Sequence, residues 1–267
     1  MKLKMTILEK IIIDKKVEVK LKKKIFSIPY LKTSPFFNLK TISLVKKLKK
    51  SKSGIIAEHK RKSPSKQNIN SYSSIIDVTK GYENAGVSGI SVLTDKKYFG
   101  GSLDDLNLAK GISNIPILRK EFIIDSYQII ESKANGADVI LLIASILSKK
   151  QIKEFSILAK EFGIEVLLEV HNKEELEKSI MPSIDIIGVN NRDLKTFKVN
   201  LDNSRELSEY IPNEFLKISE SGIDSAESIN NLRCFGFNGF LVGENFMKTN
   251  NPGKTALKFI KEIEDEN

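Results

Sequence analysis

One cysteine, Cys234, and two histidines, His59 and His171, stand among 267 residues, and there is no tryptophan. A lone cysteine cannot close a disulfide within the chain, which fits a reducing, cytoplasmic setting. Two histidines and one cysteine cannot supply a Cys/His zinc site, and no metal is expected. Long hydrophobic runs are also missing. The longest, "VILLIASIL" at residues 139–147, falls well short of the roughly 20 residues that cross a bilayer. The basic, apolar N-terminus contains Glu9 and Asp14 and opens on Thr6-Ile-Leu-Glu9, a capping-box pattern. It reads as an amphipathic helix rather than a signal peptide, so no membrane partner is expected.

What is present is enough for a sizeable core. Apolar residues make up 40% and charged residues 29%, which argues against bulk disorder. The formal charge of +9, from 43 basic against 34 acidic residues, leaves nucleic-acid binding by a non-catalytic protein as one alternative. Much of the excess is lysine near the N-terminus, as in "KKLKK" at 46–50, with few aromatics between the cations. Such a run reads as a solvated face, and no nucleic-acid partner is expected.

From Gly54 onward a short, β-branched apolar run, a polar turn and a helical period recur. Eight strands are expected, at 55–58, 90–93, 115–119, 139–143, 165–170, 184–189, 216–219 and 240–242. Capping patterns begin at Ser102, Ser148, Asn172 and Asp224, and Gly86, Gly136, Gly163 and Gly236 mark helix ends. Alternating strands and helices with near-continuous apolar strands imply a parallel sheet covered by helices. Eight such units predict one closed (β/α)8 TIM barrel domain over residues 1–267. Residues 1–50 form an N-terminal helical extension of one or two helices and a connector through Pro29 and Pro35. An open doubly wound sheet is the alternative, but no glycine-rich fingerprint follows the first strand.

In such a barrel chemistry belongs at the C-terminal ends of the strands. Strand 1 ends in Glu58 and Lys60, strand 3 in Lys120, strand 5 in Glu169, and strand 6 in Asn190 and Asn191. Side chains alternate, so Glu58 and Lys60 share a face and His59 takes the other, toward the helices. His171, just past strand 5, reads as a loop residue. Two lysines and two carboxylates converging on a barrel mouth are costly to bury unless they pair. They form either a structural ion-pair network or a site for an anionic substrate with acid/base chemistry. Ser221-Gly222 after strand 7 and Gly243-Glu244 after strand 8 put small residues where backbone can approach an anion, the usual phosphate position of this fold.

The stretch "EHKRKSPS" at 58–65 resembles the first-strand signature of indole-3-glycerol phosphate synthases. The likeness continues, in the family's order, through "VLTDKKYFGGSLDDL", "PILRKEFIID", "VLLEVHN", "IGVNNRDLKTF", "ISESGI" and "FLVGENFM". The resemblance implies decarboxylating ring closure of 1-(2-carboxyphenylamino)-1-deoxyribulose 5-phosphate to indole-3-glycerol phosphate, CO2 and water, a carbon–carbon lyase step of tryptophan biosynthesis without cofactor or metal. It implies that Lys120 is the general acid for ring closure and Glu169 the acid/base for dehydration, with Glu58 and Asn190 orienting the reacting carbons. It places Lys60, Ser63, Ser221, Gly222, Gly243 and the backbone of Glu244 around the phosphate, gives Lys60 a catalytic role as well, on the carboxylate-bearing intermediate, and sets Phe99 and Phe122 against the aromatic ring. A monomer without a fused isomerase barrel is expected. Another phosphate-binding barrel enzyme, such as a ribose-phosphate isomerase, is the rival within enzymes. The sequence departs from the family at His59, where an aromatic is usual, at Gln67, where glycine is usual, and at Glu121, where aspartate is common.

Overall fold

The computed structural model describes residues 5–194 and 196–265; residues 1–4, Lys195 within the sixth-strand motif, and residues 266–267 lie outside the described residues. Eight parallel strands close in sequence order into a barrel: β1 (Ile55–His59), β2 (Gly89–Leu93), β3 (Ile117–Lys120), β4 (Val139–Ile143), β5 (Glu165–Val170), β6 (Ile186–Asn190), β7 (Leu216–Glu220) and β8 (Phe237–Val242). Ile55 pairs with Phe240 across the seam. All eight expected strands form. β3 and β6 start two residues later than expected, and β8 starts three residues earlier. Pro116 gives β3 its late start, because it has no N–H for the ladder, although its carbonyl still accepts from Ile90.

Alternation divides the strands into two cores. Ile55, Ala57, Ile90, Val92, Ile140 and Leu142 face the helices. Ile56, Leu118, Leu141, Leu167, Ile186, Ile218 and Leu241 fill the interior. The helix starts follow local chemistry: Ser148 forms a full capping box with Gln151, and Asn172 accepts from the Glu175 N–H. At the eleventh helix the cap is Ser225 rather than Asp224, its hydroxyl accepting from Ser228 N–H. Among the described residues no helix is long and apolar enough to cross a membrane.

The N-terminal extension holds three helices rather than one or two: α1 (Ile7–Ile25), α2 (Ile28–Lys32) and α3 (Leu44–Lys50). Pro29 lies inside the first turn of α2, where its missing N–H costs nothing, and Ser27 caps it. α3 closes the N-terminal end of the barrel. Leu44 and Leu48 join the interior core, and Glu165 at the start of β5 accepts the Leu44 and Val45 N–H groups at 2.8 and 3.1 Å. α1 covers the opposite end, where Ile7, Leu8 and Ile11 reach the strand mouths.

A closed ionic ring clamps α1. Lys15 contacts Glu18 at 2.7, Asp95 at 2.9 and Glu121 at 3.0 Å. Glu121 meets Arg119 at 3.7 Å, Arg119 meets Glu131 at 2.7 Å, Glu131 meets Lys22 at 3.1 Å, and Lys22 returns to Glu18 at 3.0 Å. Burial alone would lower the Lys15 pKa, but Glu121 and Asp95 outweigh it and hold the amine well above its usual range. Replacing Lys15 strands two buried carboxylates. Lys15→Met is expected to cost about 3 kcal/mol, read as a fall in the urea midpoint; an unchanged midpoint would show that the ring does not hold α1.

Candidate active site

The even spacing of side chains along each strand decides what enters the mouth. With Ile56, Leu118, Leu167 and Ile218 pointing inward, so must the residues two further on: Glu58, Lys120, Glu169 and Glu220. They come from the four odd-numbered strands, the set that supplies one layer of a barrel interior. The next layer down on these strands, Ile56, Leu118, Leu167 and Ile218, is apolar, whereas this top layer consists of three carboxylates around one ammonium. Lys120 Nζ pairs with Glu220 Oε2 and lies 3.3 Å from Glu169 Oε2. Lys60, just beyond β1, returns over the mouth and places its Nζ 2.5 Å from Glu58 Oε1. Asn190, from β6, helps to lower the Glu169 pKa through its side chain and accepts the Arg192 N–H on Oδ1 at 3.0 Å.

The electrostatics follow from crowding. Burial works against the Lys120 ammonium, but Glu220, Glu169 and Glu58 together overcome it and keep the group charged well above neutral pH. Burial also pushes carboxyls up. In Glu58 the pull of Lys60 and Lys120 prevails, and in Glu169 that of Lys120 and His171, so both stay below the usual range. Glu220 goes the other way. Burial, with the charges of Glu169 and Glu58, outweighs Lys120 and raises it to about 7. The layer therefore holds one proton that is exchangeable near neutrality. A strongly shifted carboxyl beside a cation in a cleft marks a functional site.

Around this layer lies a cavity of about 380 Å³. It is lined by every residue expected at the site: Glu58, Lys60, Ser63, Phe99, Lys120, Phe122, Glu169, Asn190, Ser221, Gly222, Gly243 and Glu244. Phe99 and Phe122 stand on one side, their ring centroids 6.0 Å apart and tilted by 40°. On the other side the chain turns through Ser221 and Gly222, with φ of 68° and 81°. A positive φ at serine is strained backbone, of the kind retained at functional turns. A side chain at Gly222 would collide with Val199, and one at Gly243 would come within 2.6 Å of Glu58 Oε1. Glu244 directs its carboxylate away, to Lys66 Nζ at 2.9 Å, and leaves its backbone at the cavity.

Several neighbours have structural work instead. His59 faces the helices as expected, buried, with Nε2 3.2 Å from Ser73 Oγ; burial, then Arg61, lower its pKa to about 4. Arg61 grips Asp105 at 2.6 and 2.9 Å. Asn191 ties β6 to β7 through Ser219 Oγ at 2.9 Å and the Glu220 carbonyl at 3.0 Å. Gln67 is not at positive φ, so its position demands no glycine. Glu121 reaches Thr94 Oγ1 at 2.8 Å as well as Lys15.

Three features escaped the reading of the sequence. Glu220 falls one residue past the expected seventh strand, 216–219, although the alternation that found Glu58 also points it inward. Ile7, Leu8 and Ile11 roof the cavity from α1, and no local signal on a helix names what it will cover. His171 lies just past β5, as expected, with its Nε2 3.4 Å from Glu169 Oε1, a proximity that the loop reading did not include.

The arrangement can bind a phosphorylated, flat-ringed, anionic molecule and deliver protons to it. Comparison with known proteins agrees. The family model for indole-3-glycerol phosphate synthase matches residues 8–259. An indole-3-glycerol phosphate synthase of Bacteroides thetaiotaomicron is 45% identical over 258 residues, covering 97% of this chain and 99% of that protein. One from Caldanaerobacter subterraneus subsp. tengcongensis is 42% identical over 263 residues, covering 96% and 98%. Among solved structures, 3-hexulose-6-phosphate synthase from Salmonella typhimurium superposes with a TM-score of 0.62 at 14% identity, over 80% of this chain and all of that one, and so shares the fold. The chain belongs to the indole-3-glycerol phosphate synthase family.

Proposed function

We propose that this protein closes the indole ring of 1-(2-carboxyphenylamino)-1-deoxyribulose 5-phosphate, releasing CO2 and water and leaving indole-3-glycerol phosphate, as a decarboxylating lyase of tryptophan biosynthesis. What carries the reading beyond family membership is one observation: an ammonium charged at neutral pH, Lys120, sits between Glu169 and Glu220 at the floor of a cavity walled by two phenylalanines and two glycine turns. The substrate phosphate lies against the backbone of Ser221, Gly222, Gly243 and Glu244, with Lys60 and Ser63 beside it. The anthranilate ring lies against Phe99 and Phe122, which hold it over the ketone carbon.

The ring carbon bearing the carboxylate attacks the ketone carbon, and the ketone oxygen takes a proton from Lys120 as negative charge gathers there. Loss of CO2 returns the electron pair to the ring. Glu169 then manages the dehydration: the new hydroxyl leaves with a proton as water, and the ring system gives up a proton to restore aromaticity. Glu58 and Asn190 orient the groups at the reacting carbons. The steps are one carbon–carbon bond formation, the loss of CO2 and of water, and the proton transfers that side chains serve, so the reading includes no cofactor. It also places the protein in the cytoplasm as a monomer.

Purified protein given the substrate should generate indole fluorescence, and no product at any pH would refute the assignment. The phosphate end has its own test. Gly222→Ala forces a side chain into left-handed backbone against Val199. It is expected to raise KM about tenfold with a smaller effect on kcat, as for loss of ground-state binding; an unchanged KM would move the phosphate elsewhere.

A further inference from the structure

Glu169 is held asymmetrically. Lys120 and Asn190 account for its contacts toward the cavity, with Lys120 Nζ 3.3 Å from Oε2. Its other oxygen, Oε1, faces His171 Nε2 at 3.4 Å. That nitrogen is buried and, among the described residues, has no hydrogen-bond partner. The opposite edge of the ring is fixed: His171 Nδ1 lies 3.1 Å from Glu175 Oε2, which also accepts the His171 backbone N–H at 2.9 Å. Glu175 is fixed in turn, because Asn172 donates its side-chain amide to Glu175 Oε1 at 3.1 Å and caps the Lys173–Ser179 helix. A helix start thus aims an imidazole edge at the carboxylate assigned to dehydration. A nitrogen so oriented and left unpaired in a buried place needs an explanation.

We propose that His171 is a positioning residue for Glu169: as an imidazolium, clamped by Glu175, it holds Glu169 Oε1 and keeps that carboxylate ionised and aimed at the substrate until dehydration calls on it. The inference rests on the acid/base assignment of Glu169 above. The charged groups acting on the imidazole are Glu175 from the Lys173–Ser179 helix, Glu169 from β5 and Glu220 from β7; Lys120 of β3 lies beyond Glu169, on its Oε2. Burial alone would favour the neutral ring, but these three carboxylates outweigh it and raise the His171 pKa above the usual imidazole value. The sign is then fixed: the clamp is complete below that ordinary value and is lost as pH rises through the raised one. It also adds a positive charge beside a mouth where Glu58, Glu169 and Glu220 pair with Lys60 and Lys120.

Because the chain has only two histidines, and His59 is buried and neutral, imidazole NMR reads His171 directly. In the wild type one imidazole should titrate above about 6.5. It should move toward lower pH in both Glu175→Gln and Glu169→Gln, a measurement that needs no turnover. In kinetics, kcat should fall on the alkaline side with the same midpoint, and Glu175→Gln should move that limb toward acid. His171→Asn should lower kcat about tenfold with little change in KM, and lose the limb. A purely structural histidine would depress kcat equally at all pH. An imidazole titrating at or below about 6.5, or a limb unmoved in Glu175→Gln, overturns the proposal. Should His171→Asn fail to fold, the titration and Glu175→Gln still decide. Failure of the Glu169 assignment would show separately, as normal turnover by Glu169→Gln.

Discussion

Lys120→Ala is expected to remove about 10³-fold of the turnover, the middle of the range for a positioned general acid, with substrate binding reduced far less. The loss is large because Lys120 supplies both a proton and a positive charge to the forming alkoxide. Lys60 is tied to Glu58 at 2.5 Å, and Glu220, with a pKa near 7, is paired to Lys120 itself. Folding survives near neutrality because the remaining carboxylates can take up protons. The pH dependence has a definite sign. Glu220 already has a raised pKa, so its contribution to stability is present in acid and is lost as pH rises through about 7. Without Lys120 it rises further, and the gap in thermal stability between the variant and the wild type should widen from pH 6 to pH 8. Activity should therefore be compared at or below neutrality, by indole fluorescence. Full turnover by Lys120→Ala would remove it as the acid.

Glu169→Gln is expected to lose turnover by about 10²–10³-fold, but at a different step. Glutamine keeps the shape and can still bond Asn190, so substrate should bind and ring closure should proceed through Lys120. The amide cannot exchange the proton that dehydration requires. A single-turnover experiment should then release CO2 at close to one equivalent per site while indole fluorescence fails to appear. Normal release of product from the variant would refute the assignment. Absence of CO2 would place Glu169 in the first half of the reaction. Loss of one carboxylate also relieves Glu220, whose raised pKa owes part of its shift to Glu169.

The barrel and most of the site were legible because both depend on a short-range rule. A period of two along each strand fixes which residues face inward, and the barrel converts "last inward residue" into "reaction mouth". Glu58, Lys120, Glu169 and Asn190 could be placed this way before any coordinate. Glu220 obeys the same rule and was missed because the strand expected at 216–219 runs one residue further. The rest depends on contacts far apart in sequence. Lys15 gives no hint that Asp95 and Glu121 await it, since those partners lie on loops brought together by barrel closure. His171 lies one residue beyond a strand, where alternation stops and the following helix cap decides the direction of the side chain. Pro29 shows the converse: read as part of a connector, it lies in the first turn of a helix, which does not need its N–H.

The most direct measurement is a crystal structure with an unreactive substrate analogue in which the ketone is reduced to an alcohol. The phosphate should lie against the backbone of Ser221, Gly222, Gly243 and Glu244, the aromatic ring against Phe99 and Phe122, and the alcohol oxygen within hydrogen-bonding reach of Lys120 Nζ. A phosphate bound elsewhere, or an alcohol oxygen out of reach of Lys120, would contradict the account.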